Sequence, residues 1–399
     1  MNELSTSTDL SLHDSILSQV YNLSKKYEYL LEFSGENYNI FKILKLQASE
    51  VRLHSAFIAE LLNPQGSHGQ KGTFLTLFTE RFKFKDSNFS AEKAKVEVEK
   101  YTGPLNDDKT SGGRIDILIT DQKNNQFVVE NKIYAHDQEN QLLRYFNYNP
   151  KAHLIYLCLR GEQVSKIGLG GLKEADYRII SYERDITQWL IDCRKEVVNH
   201  PPLRESITQY INLIKSLTGQ STNDIMNRDL ANLLTSNKEK LDAAFTIANS
   251  LDQVTNSLLI KLENIISEIA TEKGLEKDFN VNFKNRYTGF YFWKREWKHV
   301  YIAIEFENYD RELDYGVKFQ QEAKSNDDVL RVNIKTKLSQ LEGESSPMWP
   351  FFRQMDKPYF NWTEENKDPW LAIVDGSIKG IIEDKIKEIL PLLEGIENL

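Results

Sequence analysis

The feature that most restricts what this chain can become is a pair of short apolar runs, Ile115–Thr120 and Gln126–Lys132, joined by the polar run Asp121–Asn125. Ile, Val and Phe bounded by Asp, Asn and Gln predict two strands of a hairpin with a five-residue loop. Pairing symmetric about Lys123 puts Asp116 directly across from Glu130. Strand side chains alternate faces, so Glu130 and Lys132 share one face while Asn131 points away. Two carboxylates and one ammonium therefore converge among residues suited to burial. Desolvated acids need counter-charge, and Lys132 alone cannot neutralise both. A divalent cation with oxygen ligands can.

Asp116 followed by Glu130-Asn131-Lys132 resembles the D…(D/E)xK signature of the PD-(D/E)xK nuclease superfamily. Gln141-Leu-Leu-Arg-Tyr145 matches the QxxxY element of its RecB-like and lambda-exonuclease-like branches. Upstream, Glu50-Val-Arg-Leu-His54-Ser-Ala-Phe, then Leu61-Leu-Asn-Pro64 and His68-Gly69, is similar to the start of a bacterial domain of this superfamily often found in defence-associated genes. A lone ExK is too common to carry weight, whereas Asp, ExK and QxxxY in order on strand, strand and helix are far more selective. The resemblance spans roughly residues 40–220, and Ile115 stands where the family has its name-giving proline.

The resemblance implies an α/β, restriction-endonuclease-like core, a mixed central sheet flanked by helices. It also implies Mg²⁺ or Mn²⁺ held by Asp116, Glu130 and the main-chain carbonyl of Asn131, helped by His54 or Glu50. Lys132 would orient the attacking water or stabilise developing charge, Gln141 would position the nucleophile or a phosphate, and Tyr145 would support the backbone. Glu50 and His54 lie four apart on a helix predicted over 49–62, so they project from one side. The plainer alternative is an acid favoured by the helix dipole and a surface histidine. Substrate contacts are expected from the charged approach Asn106–Gly112, read as flexible. A helix is expected over Asp137–Tyr148 with Asp137 as N-cap, an edge strand over Val96–Tyr101, and a mobile surface loop over Gly161–Asp176. His68–Gly72 reads as a plain turn rather than a phosphate cradle.

At 399 residues the chain exceeds the usual single-domain range. The expected division is a nuclease domain over 1–220, with N-terminal helices, and an α+β domain over 221–399, joined at Gly219–Asn223. The second half combines a long helical region, Ala231–Thr271, with an aromatic, strand-rich segment, Phe279–Phe319, read as an antiparallel sheet. Between Lys284 and His299 it carries Lys284, Arg286, Lys294, Arg295 and Lys298 against Glu296 alone, a local +4. Aromatics interleaved with basic residues suit base stacking and phosphate contacts, and equally suit a twisted sheet with solvated charges.

The formal net charge of −9 argues against a generally sticky nucleic-acid binder but not against a nuclease using local patches and metal. Residues 221–399 carry about −8 of it, which leaves homodimerisation or target sensing open for that half. No apolar run approaches the roughly 20 residues of a membrane span. Cys158 and Cys193 have no CxxC spacing, and a cytoplasmic location is expected. The expected partner is nucleic acid, DNA ahead of RNA, in a role such as antiphage defence. The competing readings are an RNA- or tRNA-cleaving enzyme of the same fold and an inactive scaffold that binds nucleic acid or protein.

Overall fold

Strands β1 (Lys95–Gly103), β2 (Gly113–Thr120) and β3 (Gln126–Asn131) pair antiparallel, and β4 (His153–Cys158) and β5 (Arg178–Ser181) extend the sheet in parallel, in the order β1-β2-β3-β4-β5. This computed structural model describes residues 3–82, 89–308, 311–320, 328–363, 365–397 and 399. The β2–β3 register runs from Thr120↔Gln126 to Ile117↔Val129. One step further along that register opposes Asp116 to Glu130, as the symmetric hairpin predicts. Asp121 closes the loop, its carboxylate accepting the N–H groups of Lys123 and Asn125 at 2.8 Å each and that of Ser90 at 3.0 Å.

Both faces of the sheet are covered at β2, β3 and β4, which explains why those strands are near-continuous apolar runs rather than alternating ones. On one face Ile117, Ile119, Phe127, Val129, Ile155 and Leu157 meet Leu61, Phe74, Trp189 and Tyr210 from the helices Ala56–Leu62, Thr73–Arg81, Thr187–Glu196 and Pro201–Thr218. On the other, Leu118, Val128, Leu154 and Tyr156 meet Leu142 and Tyr145 of the helix Gln141–Tyr148. Each such apolar side chain contributes roughly 1.5–3 kcal/mol on burial. The alternation of β3 thus sends Phe127, Val129 and Asn131 towards the four-helix side, and Val128 and Glu130 towards the Gln141–Tyr148 helix.

The chain divides into two compact units, Met1–Leu241 and Asp242–Leu399. The break falls later than the expected linker because Gly219–Asn223 is a helix junction. Gly219 ends one helix in the left-handed region (φ 74°), and Ser221 caps the next, Thr222–Leu234. That helix is bound to the first unit by the hydrogen bond from the Tyr27 hydroxyl to Asp229 at 2.5 Å. The predicted helical region Ala231–Thr271 is accordingly interrupted, with further helices at Lys238–Asn249 and Leu251–Lys273.

The second unit holds a five-stranded antiparallel sheet, β6 (Glu276–Phe279), β7 (Thr288–Trp293), β8 (Val300–Phe306), β9 (Leu313–Phe319) and β10 (Phe351–Gln354), in the order β10-β9-β8-β7-β6. Phe290, Phe292, Phe306 and Tyr315 face a core shared with the helices Leu251–Lys273, Asp368–Asp375 and Ile378–Ile389. The expected α/β core and the aromatic-rich antiparallel sheet are both present. Among the described residues no helix is long and apolar enough to cross a membrane.

Asp121 has no substitute among the hairpin's side chains. Asp121→Ala is expected to lower stability by about 2–3 kcal/mol through the unsatisfied N–H groups it leaves. Urea unfolding checks this as a lower midpoint at unchanged slope.

Candidate active site

A cleft of about 390 Å³ opens in the first unit, lined by Asp116, Glu130, Lys132, Gln141 and Tyr145 together with Glu50, Glu99 and Arg144. Three of these come from the β2–β3 hairpin. Glu130 is 1% exposed, and its Oε1 takes the Lys132 ammonium at 2.7 Å and the Gln141 side-chain N–H at 2.5 Å. Its Oε2 is buried with no hydrogen-bond partner. Asp116 Oδ2 accepts the main-chain N–H of Asn131 at 2.7 Å. Asn131 itself turns to the opposite face, donating to Ser55 Oγ and accepting from the Tyr182 hydroxyl, both at 2.9 Å.

The electrostatics follow from burial. Desolvation, with the Glu130 charge second, pushes Asp116 up to about 8. Burial raises Glu130 as well, opposed by Lys132. Desolvation alone would lower Lys132, but Glu130 beside it holds the ammonium above its usual range. With both acids ionised, the single ammonium would leave this cluster short of positive charge. Glu130 lines the same cleft as Asp116, and its buried, partnerless oxygen fits a divalent cation with oxygen ligands. No third His, Cys, Asp or Glu among the described residues completes a ready-made cluster with them. Such a site would take its remaining ligands from the main chain, from water and from the second oxygen of Glu50.

Glu50 does reach the cleft, from a π-helical turn over Glu50–Ser55. Its Oε1 gathers the N–H groups of Ile133 (2.6 Å), Tyr134 (3.0 Å) and Ala135 (3.0 Å), fixing the turn after Lys132. Only its other oxygen is left to offer the cleft. His54 must be corrected: it is not a surface residue and is not brought to the site. Its Nδ1 pairs with the Tyr210 hydroxyl at 2.8 Å and its Nε2 with the Gln47 carbonyl at 3.0 Å, so neither ring nitrogen remains for a metal. Burial lowers its pKa and keeps the ring neutral.

Gln141 and Tyr145 sit one turn apart on their helix, and both act on the protein rather than across open space. Gln141 holds Glu130 and accepts the Gln138 N–H at 3.0 Å, while the Tyr145 hydroxyl donates to the Arg114 carbonyl. The helix starts at Gln141, not Asp137. Asp137 instead accepts the Tyr156 hydroxyl at 2.9 Å and the Ser165 N–H at 2.8 Å. Those bonds, and Asn140 N–H to the Ile167 carbonyl at 2.8 Å, anchor the segment expected to be a mobile loop. The approach over 106–112 is likewise tied down, by Asn140 to the Asp108 carbonyl at 3.0 Å and Asn147 to the Thr110 carbonyl at 2.9 Å.

Glu99 and Arg144 are cleft residues to which the motifs assign no role. Glu99 occupies the β1 position across from Asp116 and has a left-handed backbone (φ 52°), which no local sequence signal shows. Arg144 lies inside QxxxY, three residues after Gln141, and that spacing on a helix was the available signal.

In the second unit the predicted basic patch is divided. Lys284 and Arg286 precede β7 and Lys294, Arg295 and Lys298 follow it, and a six-residue strand separates its ends by roughly 20 Å. Arg286 lies over the Tyr287 ring, and Lys294 reaches Glu394 at 3.7 Å. Trp297, Phe306 and Tyr315 are buried in the core, and Trp293 packs edge-on against Tyr301, so this is a packed sheet rather than one stacking platform.

With this geometry in view, the comparison with known families is specific. Residues 38–212 match the model of the PD-(D/E)XK nuclease superfamily, a match that contains the whole cleft and both motif strands. That superfamily is one of phosphodiester-hydrolysing nucleases, which generally use divalent metals. No curated protein and no solved structure matches the chain significantly.

The folded chain holds the Asp116 proton up to about pH 8, whereas an unfolded aspartate releases it near its ordinary value, about 4. The folded state thus binds more protons across that window, and metal-free stability falls as pH rises through it. Asp116→Asn is expected to flatten the decline, read as unfolding temperature against pH in EDTA.

Proposed function

We propose that this chain is a Mg²⁺- or Mn²⁺-dependent nuclease that hydrolyses phosphodiester bonds in DNA, with its active site in the first unit and a role in antiphage defence. The observation that carries the reading is the partnerless, buried Oε2 of Glu130 in a cleft shared with Asp116 and Lys132. The resemblance to RecB-like and lambda-exonuclease-like branches favours DNA over RNA, and the similarity to defence-associated domains supports the biological role.

Asp116, Glu130 and the Asn131 carbonyl would hold the ion, with Glu50 contributing through its second oxygen. When bound, the ion polarises the scissile phosphate and lowers the pKa of a water. The Lys132 ammonium, fixed at 2.7 Å from Glu130, supplies positive charge where negative charge develops on the phosphate. Gln141 keeps the Glu130 carboxylate in one orientation, and Tyr145, held protonated by burial, locks the helix to β2. These two are positioning residues.

The deciding experiment incubates the purified protein with duplex DNA, single-stranded DNA and total RNA in Mg²⁺, Mn²⁺ or EDTA. Metal-dependent DNA cutting is expected, and cutting of RNA alone would reassign the substrate. Lys132→Ala and Glu130→Gln should each reduce cutting at least about 100-fold. Undiminished activity in Lys132→Ala would remove the proposed role of that ammonium. His54→Gln should lose stability yet still take up Mn²⁺ in a titration, because the ring supports the core and not the ion.

A further inference from the structure

Arg144 is 4% exposed, yet it forms no ion pair with any described carboxylate. Its Nη1 donates to the Glu139 carbonyl at 2.6 Å and its Nη2 to the Gln138 side-chain oxygen at 3.0 Å, both neutral acceptors. Its Nε is buried without a partner. A guanidinium cannot shed its proton to relieve this, so the charge stays. Isolated buried cations are costly, and proteins keep them where an anion arrives to match them.

The surroundings leave room for that anion. Gly113 lies beside the guanidinium with φ 102°, and a Cβ there would stand 3.4 Å from Nε. A side chain at 113 would lie in van der Waals contact with the edge of the group that lacks a partner. Both residues line the cleft that contains Glu130 and Lys132. Lys132 is already committed to Glu130, whereas Arg144 has no carboxylate to satisfy it.

We propose that Arg144 is a substrate-contacting residue whose guanidinium receives a backbone phosphate of the nucleic acid bound in this cleft. The assignment rests on the nuclease reading above. A planar guanidinium with unused donors suits a phosphate better than a point charge does. Glu139 and Gln138 then act as the rigid mount that aims it.

The test measures binding of a fluorescein-labelled duplex of about 20 base pairs, the same single strand, and an RNA of that sequence, by anisotropy in EDTA over a range of salt. Arg144→Met is expected to weaken binding about 10-fold or more. It should also make the slope of log affinity against log salt shallower by about 0.7–0.9, the signature of one lost phosphate contact. Arg144→Lys should restore the slope and only part of the affinity. A merely structural role would lower the unfolding temperature and leave the slope intact, and an unchanged slope overturns the proposal. If Arg144→Met does not fold, Arg144→Lys decides: affinity equal to wild type overturns the proposal, and weaker binding at an unchanged unfolding temperature supports it. Failure of the wild type to bind all three probes also overturns it. A wild type that binds but never cuts with Mg²⁺ or Mn²⁺ defeats the nuclease reading instead, while the slope still judges Arg144.

Discussion

A carboxylate with no access to water has to find its neutralising charge inside the protein, and Glu130 is the group on which this molecule's first unit turns. The cost of stripping solvent from such an ion is several kcal/mol before any partner is counted. Lys132, just past the end of the same strand, and Gln141, from the covering helix, meet one of its oxygens. The other is left unanswered. A fold that served only its own stability would gain by replacing this trio with apolar side chains, which often substitute for buried ion pairs without loss. Retaining an unsatisfied oxygen in a cleft is intelligible when something cationic completes it.

The rest of the first unit holds that carboxylate still. Separate stretches of chain converge on the hairpin, and each is fixed by a polar bond to main chain rather than by packing alone. Glu50 gathers three successive N–H groups after Lys132, Asp116 takes the N–H of Asn131, and Tyr145 reaches the Arg114 carbonyl. On the reverse side of β3, Asn131 is clasped between Ser55 and Tyr182. Alternation along one strand therefore divides the labour: even-numbered Glu130 lines the cleft, and odd-numbered Asn131 is bolted to the core. His54 belongs to that second task, its ring held by Tyr210 and Gln47.

What the sequence made legible is what depends on local period and spacing. The hairpin register and the convergence of Asp116, Glu130 and Lys132 follow from strand alternation, whereas Gln141, expected at the nucleophile or a phosphate, holds Glu130 instead. The misreadings have a common origin in geometry that neighbouring residues do not encode. Glu50 and His54 share a helical side by count, but only the three-dimensional course of the π-turn decides that one meets the cleft and the other meets Tyr210. The cations of the second unit are close in sequence and far apart in space because a strand runs between them. The segment after Gly161 looks loose by composition, yet Asp137 and Asn140 bind it from a distance along the chain. Glu99 escaped notice because a left-handed residue in mid-strand leaves no mark on the letters around it.

That left-handed residue has a bearing on how the sheet meets the outside. β1 is the free margin of the five-strand sheet, and its course is disturbed at Glu99 and again where the pairing slips between Tyr101 and Gly103. A margin that twists out of line twice offers no straight row of N–H and C=O groups for another chain to zip onto. Lys95 and Lys100 flank the first irregularity and add charge to it. Copies of this protein are thereby discouraged from joining sheet to sheet along β1.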